Sequence, residues 1–318
     1  MFASNHKSKQ YLLVALKVLI LGFTLSYIYS KLSNNDTQHY QEVIIEVLQK
    51  NDHSIAFIIL FLLLASANWF FEILKWKILV SKIKNISFST SLKQSLSALT
   101  ISLSTPNRIG DYGAKAFYFK KEFRKQILVL NFFSNVAQMG ITTLFGVFGL
   151  IYMTFKYSID YSFLKILSVC IGFIALFILG FIFKEQQLII KGLSISKIIA
   201  YLKKIKTSIK IKTILFSFLR YLIFCFLYYQ LVLFFGVEIS LFEAIPIIFS
   251  MYLLVSIVPT IFIFDVVVRG GAAVWLFSFA GIPELPILYT VLSMWILNFV
   301  LPSFVGGIFM FTYRPESL

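Results

Sequence analysis

Residues 55–80 read IAFIILFLLLASANWFFEILKWKILV, with no charge before Glu72. A helix rises about 1.5 Å per residue, so about 20 apolar residues cross a hydrocarbon core roughly 30 Å thick, and this run is long enough. Runs of the same kind recur at Tyr11–Tyr29, Ile127–Phe155, Phe163–Phe183, Ile214–Phe235, Ala244–Phe264 and Ile287–Phe311. The 318 residues are 59% hydrophobic and 14% charged, and the mean hydropathy is +0.86, which excludes an ordinary soluble domain. The fold class expected is all-α, a polytopic integral membrane helical bundle forming one membrane domain over residues 1–318.

Charge sets the expected orientation. The net charge is +15, and the lysines and arginines lie in short segments beside apolar runs, the pattern of the positive-inside rule. Lys7 and Lys9 precede the first run, which reads as a retained signal anchor with a cytoplasmic N-terminus. The segment from Asn34 to His53 holds Asp36, Glu42, Glu46 and Asp52 against Lys50 and is expected outside. Lys75, Lys77, Lys82, Lys84 and Lys93 mark the next cytoplasmic end. Residues 184–212 form a basic connector in which Ile195, Ile198, Ile199, Leu202, Ile205 and Ile209 recur at helical spacing between lysines. It reads as an amphipathic helix on the inner leaflet or as a solvated linker. Approximate halves are 1–156 and 157–318.

The apolar pattern breaks at Ser104-Thr105-Pro106-Asn107-Arg108-Ile109-Gly110-Asp111. Irregular backbone and charge are tolerated at membrane depth only where protein or a water-filled cavity surrounds them. Both flanks are basic, the far one with Lys115, Lys120, Lys121, Arg124 and Lys125, which implies a re-entrant hairpin with Pro106 to Gly113 at its tip. Arg108 and Asp111 are spaced to pair on a helical turn. Asn107, Gly110 and Gly113 would let the backbone turn and offer N–H groups to an anion. The same arrangement reads either as a lipid-phosphate site or as a structural Arg–Asp clasp.

A second break holds Pro259, Asp265, Arg269, Gly270 and Gly271, with Asp265 the expected partner of Arg269. The piece after Gly271 either crosses or turns back, which gives seven or eight crossings and one or two hairpins. The two breaks hint at an internal repeat, as in transporters whose broken helices face a shared site. In residues 55–80, Asn68, Glu72, Lys75 and Trp76 share one helical face and read either as interfacial anchors or as a secondary polar site.

Other classes find little support. His6, His39 and His53 lie outside the apolar runs, and no HExxH, GxSxG or nucleotide-binding P-loop occurs. Cys170 and Cys225 are isolated, against a disulfide or thiolate metal site. No basic face interleaved with aromatics suits nucleic acid. No catalytic residue, metal or cofactor is expected.

Asn68-Trp69, Lys75-Trp76, Thr105-Pro106-Asn107-Arg108-Ile109-Gly110-Asp111, Val258-Pro259-Thr260 and Val268-Arg269-Gly270-Gly271 together resemble the flippase-type membrane domain of lysylphosphatidylglycerol synthase. The resemblance covers nearly the whole chain. It implies translocation of a phospholipid or lipid-linked substrate between leaflets of the bacterial cytoplasmic membrane. Arg108, Gly110 and Asp111 would lie on the headgroup path with Arg269 and its glycines opposite. Asp111 stands where glutamate is common, and Phe264 to Gly271 replaces a glycine-rich motif carrying a glutamate. The soluble aminoacyltransferase domain is missing, so lysyl transfer is not expected. The alternative reading is a membrane scaffold or accessory subunit for a glycosyltransferase or lipid-modifying enzyme, docked through residues 184–212; homo-oligomers fit either.

Overall fold

The computed structural model describes residues 54–103, 105, 109–158, 192–258 and 263–312. The chain divides into two compact units, Met1–Phe57 and Ile58–Leu318, and the second holds nearly all of the described residues. The first apolar run, the acidic segment after it, the run Phe163–Phe183 and the C-terminal residues 313–318 lie outside the described residues.

The elements are helices in the order α1 (Ser54–Val80), α2 (Phe88–Leu103), α3 (Gly110–Phe117), α4 (Arg124–Tyr157), α5 (Ile195–Lys203), α6 (Thr207–Phe234), α7 (Leu241–Ile257), α8 (Ile263–Ser278), α9 (Glu284–Trp295), a π-helical turn (Ile296–Val300) and α10 (Leu301–Thr312). Among the described residues, four stretches are long and apolar enough to cross a bilayer: Ile55–Val80, Arg124–Tyr157, Thr207–Phe234 and Glu284–Met310. The chain is a multi-pass helical membrane protein. The basic stretch expected to end at 212 gives up its last turns to α6, which begins at Thr207, so Lys210 and Lys212 ride on a spanning helix.

α2, at 16 residues, is only about 24 Å long at 1.5 Å per residue, short of the hydrocarbon core. The segment leading into α2 and the end of α3 meet in one apolar cluster. Trp76 and Val80 of α1, Tyr118 and Phe119 after α3, Ile127 of α4 and Ile205 pack together, with Ile83 and Ile86 against them. α5 packs its Tyr201 and Leu202 onto the same cluster while Lys197, Lys203 and Lys204 stay exposed. Its N-terminus is capped by Ser194, whose hydroxyl accepts from the Lys197 N–H at 3.3 Å.

Small residues set how closely the helices approach. A Cβ on Gly146 or Gly149 of α4 would run into Leu253 and Pro246 of α7, the helix that α4 packs against most extensively. On α10, Gly306 lies on the backbone of Leu96 in α2, beside a bond from the Thr100 hydroxyl to the Ser303 carbonyl at 2.8 Å. Lipid tails are as apolar as leucine, so van der Waals contact of this kind drives helix association within a membrane.

Two adjacent glycines test this. Gly306→Leu has to push against the backbone of Leu96, whereas nothing lies near a Cβ on Gly307. The first should lose about 1–3 kcal/mol by overpacking and melt clearly lower in detergent, by fluorescence-detected thermal unfolding. Gly307→Leu should melt like the parent.

Candidate functional site

Polar residues that the sequence spreads over most of its length meet inside the bundle. Glu72, on α1, lies 2.7 Å from the Lys75 ammonium and 2.7 Å from the Arg220 guanidinium of α6 through the same carboxylate oxygen. Arg220 also donates from Nε to Oδ1 of Asn68 at 3.0 Å. Asn68 in turn donates to Oδ1 of Asn298 at 2.8 Å, and Trp69 donates its indole N–H to the Asn298 carbonyl at 3.1 Å. Asn298 belongs to the π-helical turn, whose extra residue per turn swings this amide inward; such turns recur at functional sites.

A second knot forms around α3. Lys115 lies 3.1 Å from Asp111 and donates to Asn131 of α4 at 3.0 Å, while the Asn131 amide donates to Asp111 at 2.6 Å. The Lys115 ammonium also sits 4.8 Å from the Trp76 ring centroid, within reach of a cation–π contact. Trp76 is fully buried and donates to Gln94 of α2 at 2.9 Å. Each charge thus has an opposite partner, without which burial would cost several kcal/mol per ion.

These groups line two cavities. One, of about 310 Å³, takes its walls from α1, α2 and α3 and presents Glu72, Asp111, Lys115, Ser95, Ser102 and Tyr112. The other, of about 320 Å³, presents Asn68, Gln138, Arg269, Tyr252, Asn298 and Phe299. Arg220 and Asn135 line both, so the chambers share a wall. Asp265, in the first turn of α8, favours the helix dipole and pairs with Arg269 at 3.0 Å, and Arg269 lies 5.6 Å from the Phe299 ring centroid.

Some of the expected site residues meet here and others do not. Asp111 lines the first chamber and Arg269 the second, so both sequence breaks contribute to linked cavities. Asn107 and Arg108 lie outside the described residues; the ion-pair partner of Asp111 within them is Lys115. The N–H of Gly110, expected free for an anion, instead donates to the Thr105 hydroxyl at 2.8 Å and closes the turn into α3. Asp265, Arg269, Gly270 and Gly271 are not in an irregular break but on the regular helix α8. Gly270 there approaches the side chain of Leu288 rather than offering bare backbone. Asn68, Glu72, Lys75 and Trp76 are buried inside the bundle, not held at an interface as anchors.

Arg220, Asn131, Asn135, Gln138 and Asn298 join the site without having been expected from the sequence, although two signals point to them. A cation inside an apolar run marks a functional position by default, and Asn131, Asn135 and Gln138 follow one another at i, i+4 and i+7, a polar stripe on an otherwise apolar helix.

Residues 14–306 match the model of the lysylphosphatidylglycerol synthase TM region. The chain belongs to this family. Membership places it among membrane proteins with a lipid-related role. Comparison with curated proteins and with solved structures gives no match.

The burial of Lys75 separates a structural ion network from surface anchoring. Lys75→Ala removes one of two cations from Glu72 and should destabilise the protein by about 3 kcal/mol, read as a lower melting temperature in detergent. Lys77→Ala, two residues away and partly exposed, should leave it unchanged.

Proposed function

We propose that the chain binds an anionic lipid headgroup in the two linked chambers and carries it between leaflets of the bacterial cytoplasmic membrane. The observation that carries this reading is Arg220, a guanidinium inside an apolar bundle that lines both chambers. A guanidinium has five N–H donors in a planar fork suited to phosphate. Its bonds to Glu72 and Asn68 use two of them, so donors remain for a ligand. Arg269 adds a second guanidinium to one chamber.

The topology proposed with this function has seven or eight crossings, the N-terminus in the cytoplasm, and α2 and α3 as a re-entrant hairpin. The short length of α2 and the cluster shared by the segment leading into it and the end of α3 support the hairpin. α7 and α8, on either side of residues 258–262, are the candidate counterpart in the second half. The protein is proposed to act without chemistry of its own, as a passive, ion-coupled or partner-driven translocator. The exposed lysines of α5 and the start of α6 favour, as a second reading, a scaffold that docks a glycosyltransferase or lipid-modifying enzyme.

In proteoliposomes containing this protein alone, a fluorescent anionic phospholipid should exchange leaflets faster than in protein-free vesicles. Arg220→Ala and Arg269→Ala should each cut the rate by tenfold or more, with Arg220→Lys retaining part of it. Folded variants that exchange lipid at the parent rate would overturn the reading. A parent protein that moves no lipid but co-purifies with an enzyme would favour the scaffold.

A further inference from the structure

α5 and the turn into α6 carry charge that the chambers do not use. On α5, Tyr201 and Leu202 face inward onto the cluster of Trp76, Val80, Ile127 and Ile205, and the Tyr201 hydroxyl donates to Oε1 of Gln126 at 3.4 Å. The opposite side of this helix exposes Ala200 and Lys203, flanked by Lys197, Ile199 and Lys204. Lys206 and Lys212 continue the exposed row toward and into α6, with Ile211 beside them 60% exposed.

The cluster fixes the depth of this face. It joins Val80, where one apolar span ends, to Ile127 in the first turn of another and to Ile205, two residues before a third begins at Thr207. Side chains at the ends of spans have lipid headgroups and the first acyl carbons as neighbours. A lysine suits that layer, because its stem lies along apolar surface while the ammonium reaches phosphate. Exposed isoleucines between the lysines suit the acyl carbons.

The charge here has little to balance it within the chain. Lys82, Lys120, Lys121 and Lys125 are exposed in segments that meet the same cluster, and the Lys125 ammonium lies beside Gly192, at the approach to α5. Over residues 77–93, 115–125 and 192–212 the only acid is Glu122. An excess of exposed ammonium groups at headgroup depth is complemented by an anionic lipid surface.

We infer that α5 and the turn into α6 form a lipid-surface site, occupied by the anionic headgroups of the leaflet on the basic side. Lys197, Lys203, Lys204 and Lys206 pair with phosphates, while Ile199 and Ile211 enter the acyl boundary. Lipid held there braces the end of the bundle, because Ile205 and Trp76 share one cluster and Trp76 donates to Gln94 and carries the Lys115 ammonium over its ring. None of the surface residues lines either chamber, so the inference does not depend on what the chambers hold. It gives to lipid the face that the scaffold reading gives to an enzyme.

The test is hydrogen exchange, read by mass spectrometry, on the full chain in nanodiscs of phosphatidylcholine alone and of phosphatidylcholine mixed with phosphatidylglycerol. Amides of residues 195–206 should exchange about tenfold more slowly in the anionic discs, since each lysine near such a surface adds attraction. Those of α7 should exchange alike in both. Salt at about 1 M, which cuts the screening length to roughly 3 Å, should abolish the difference. The triple variant Lys197→Ala, Lys203→Ala, Lys204→Ala should abolish it too, and should melt like the parent in detergent because all three side chains are exposed. If residues 195–206 exchange alike in the two discs, or the difference survives high salt, the lipid-surface site is wrong. Protection that is absent with anionic lipid and appears only when cytosolic extract is added would also overturn it, and would assign the face to a protein partner.

Discussion

One carboxylate oxygen, Oε2 of Glu72, holds both Lys75 and Arg220 at 2.7 Å, and the interior of the bundle is arranged around that sharing. A charge at the centre of a bilayer costs about 3 kcal/mol even on the mildest scale, and an ion buried without a partner costs several. The chain therefore keeps α1 and α6 in register so that Glu72 reaches Arg220, and the Arg220 Nε in turn orders Asn68 and, through it, Asn298. Moving any one of these helices by a turn would leave buried charges or amides unmatched. The polar network thus specifies the packing, although many large apolar side chains lie on the helix surface.

The packing keeps the interior open while remaining tight elsewhere. Gly146 and Gly149 let α4 lie directly on α7, and Gly306 lets α10 lie on α2. Where α1, α4 and α6 meet, polar side chains from all three line the two chambers. The π-helical turn belongs to the same design, because a regular helix through Ile296–Val300 would carry Asn298 and Phe299 round to other faces. It sets Asn298 against Asn68 and Phe299 against Arg269 in successive residues.

The spanning helices are legible in the sequence because apolar length alone determines them: the runs at 55–80 and 127–155 correspond to α1 and α4 within a few residues. The break before Gly110 is legible from Pro106 and the paired basic flanks. What the sequence obscures is the identity of the partners. Asp111 pairs with Lys115 one turn on and, across helices, with Asn131, which no local spacing reveals, while Arg108, its expected partner, lies outside the described residues. Gly270 and Gly271 beside Arg269 read as part of a break in the apolar pattern; on α8 they are small residues within a helix, and Gly270 faces a neighbouring helix. Arg220 stands as a lone cation in an apolar run, but its meaning depends on Glu72, which lies 148 residues away.

Arg220 also explains how such a site could release what it binds. An anion entering either chamber meets a guanidinium already held by Glu72 and Asn68, so the gain from the new contact is offset by loss or weakening of an existing one. Competition of this kind keeps binding shallow, and a carrier needs shallow binding, since a ligand held much more tightly inside than at the surface would not leave. On the proposed headgroup reading, a phosphate in either cavity would face the same cation, because Arg220 lines both, and Glu72 would hold Arg220 when neither is filled. A static clasp would need only the pair, whereas this guanidinium also borders two cavities.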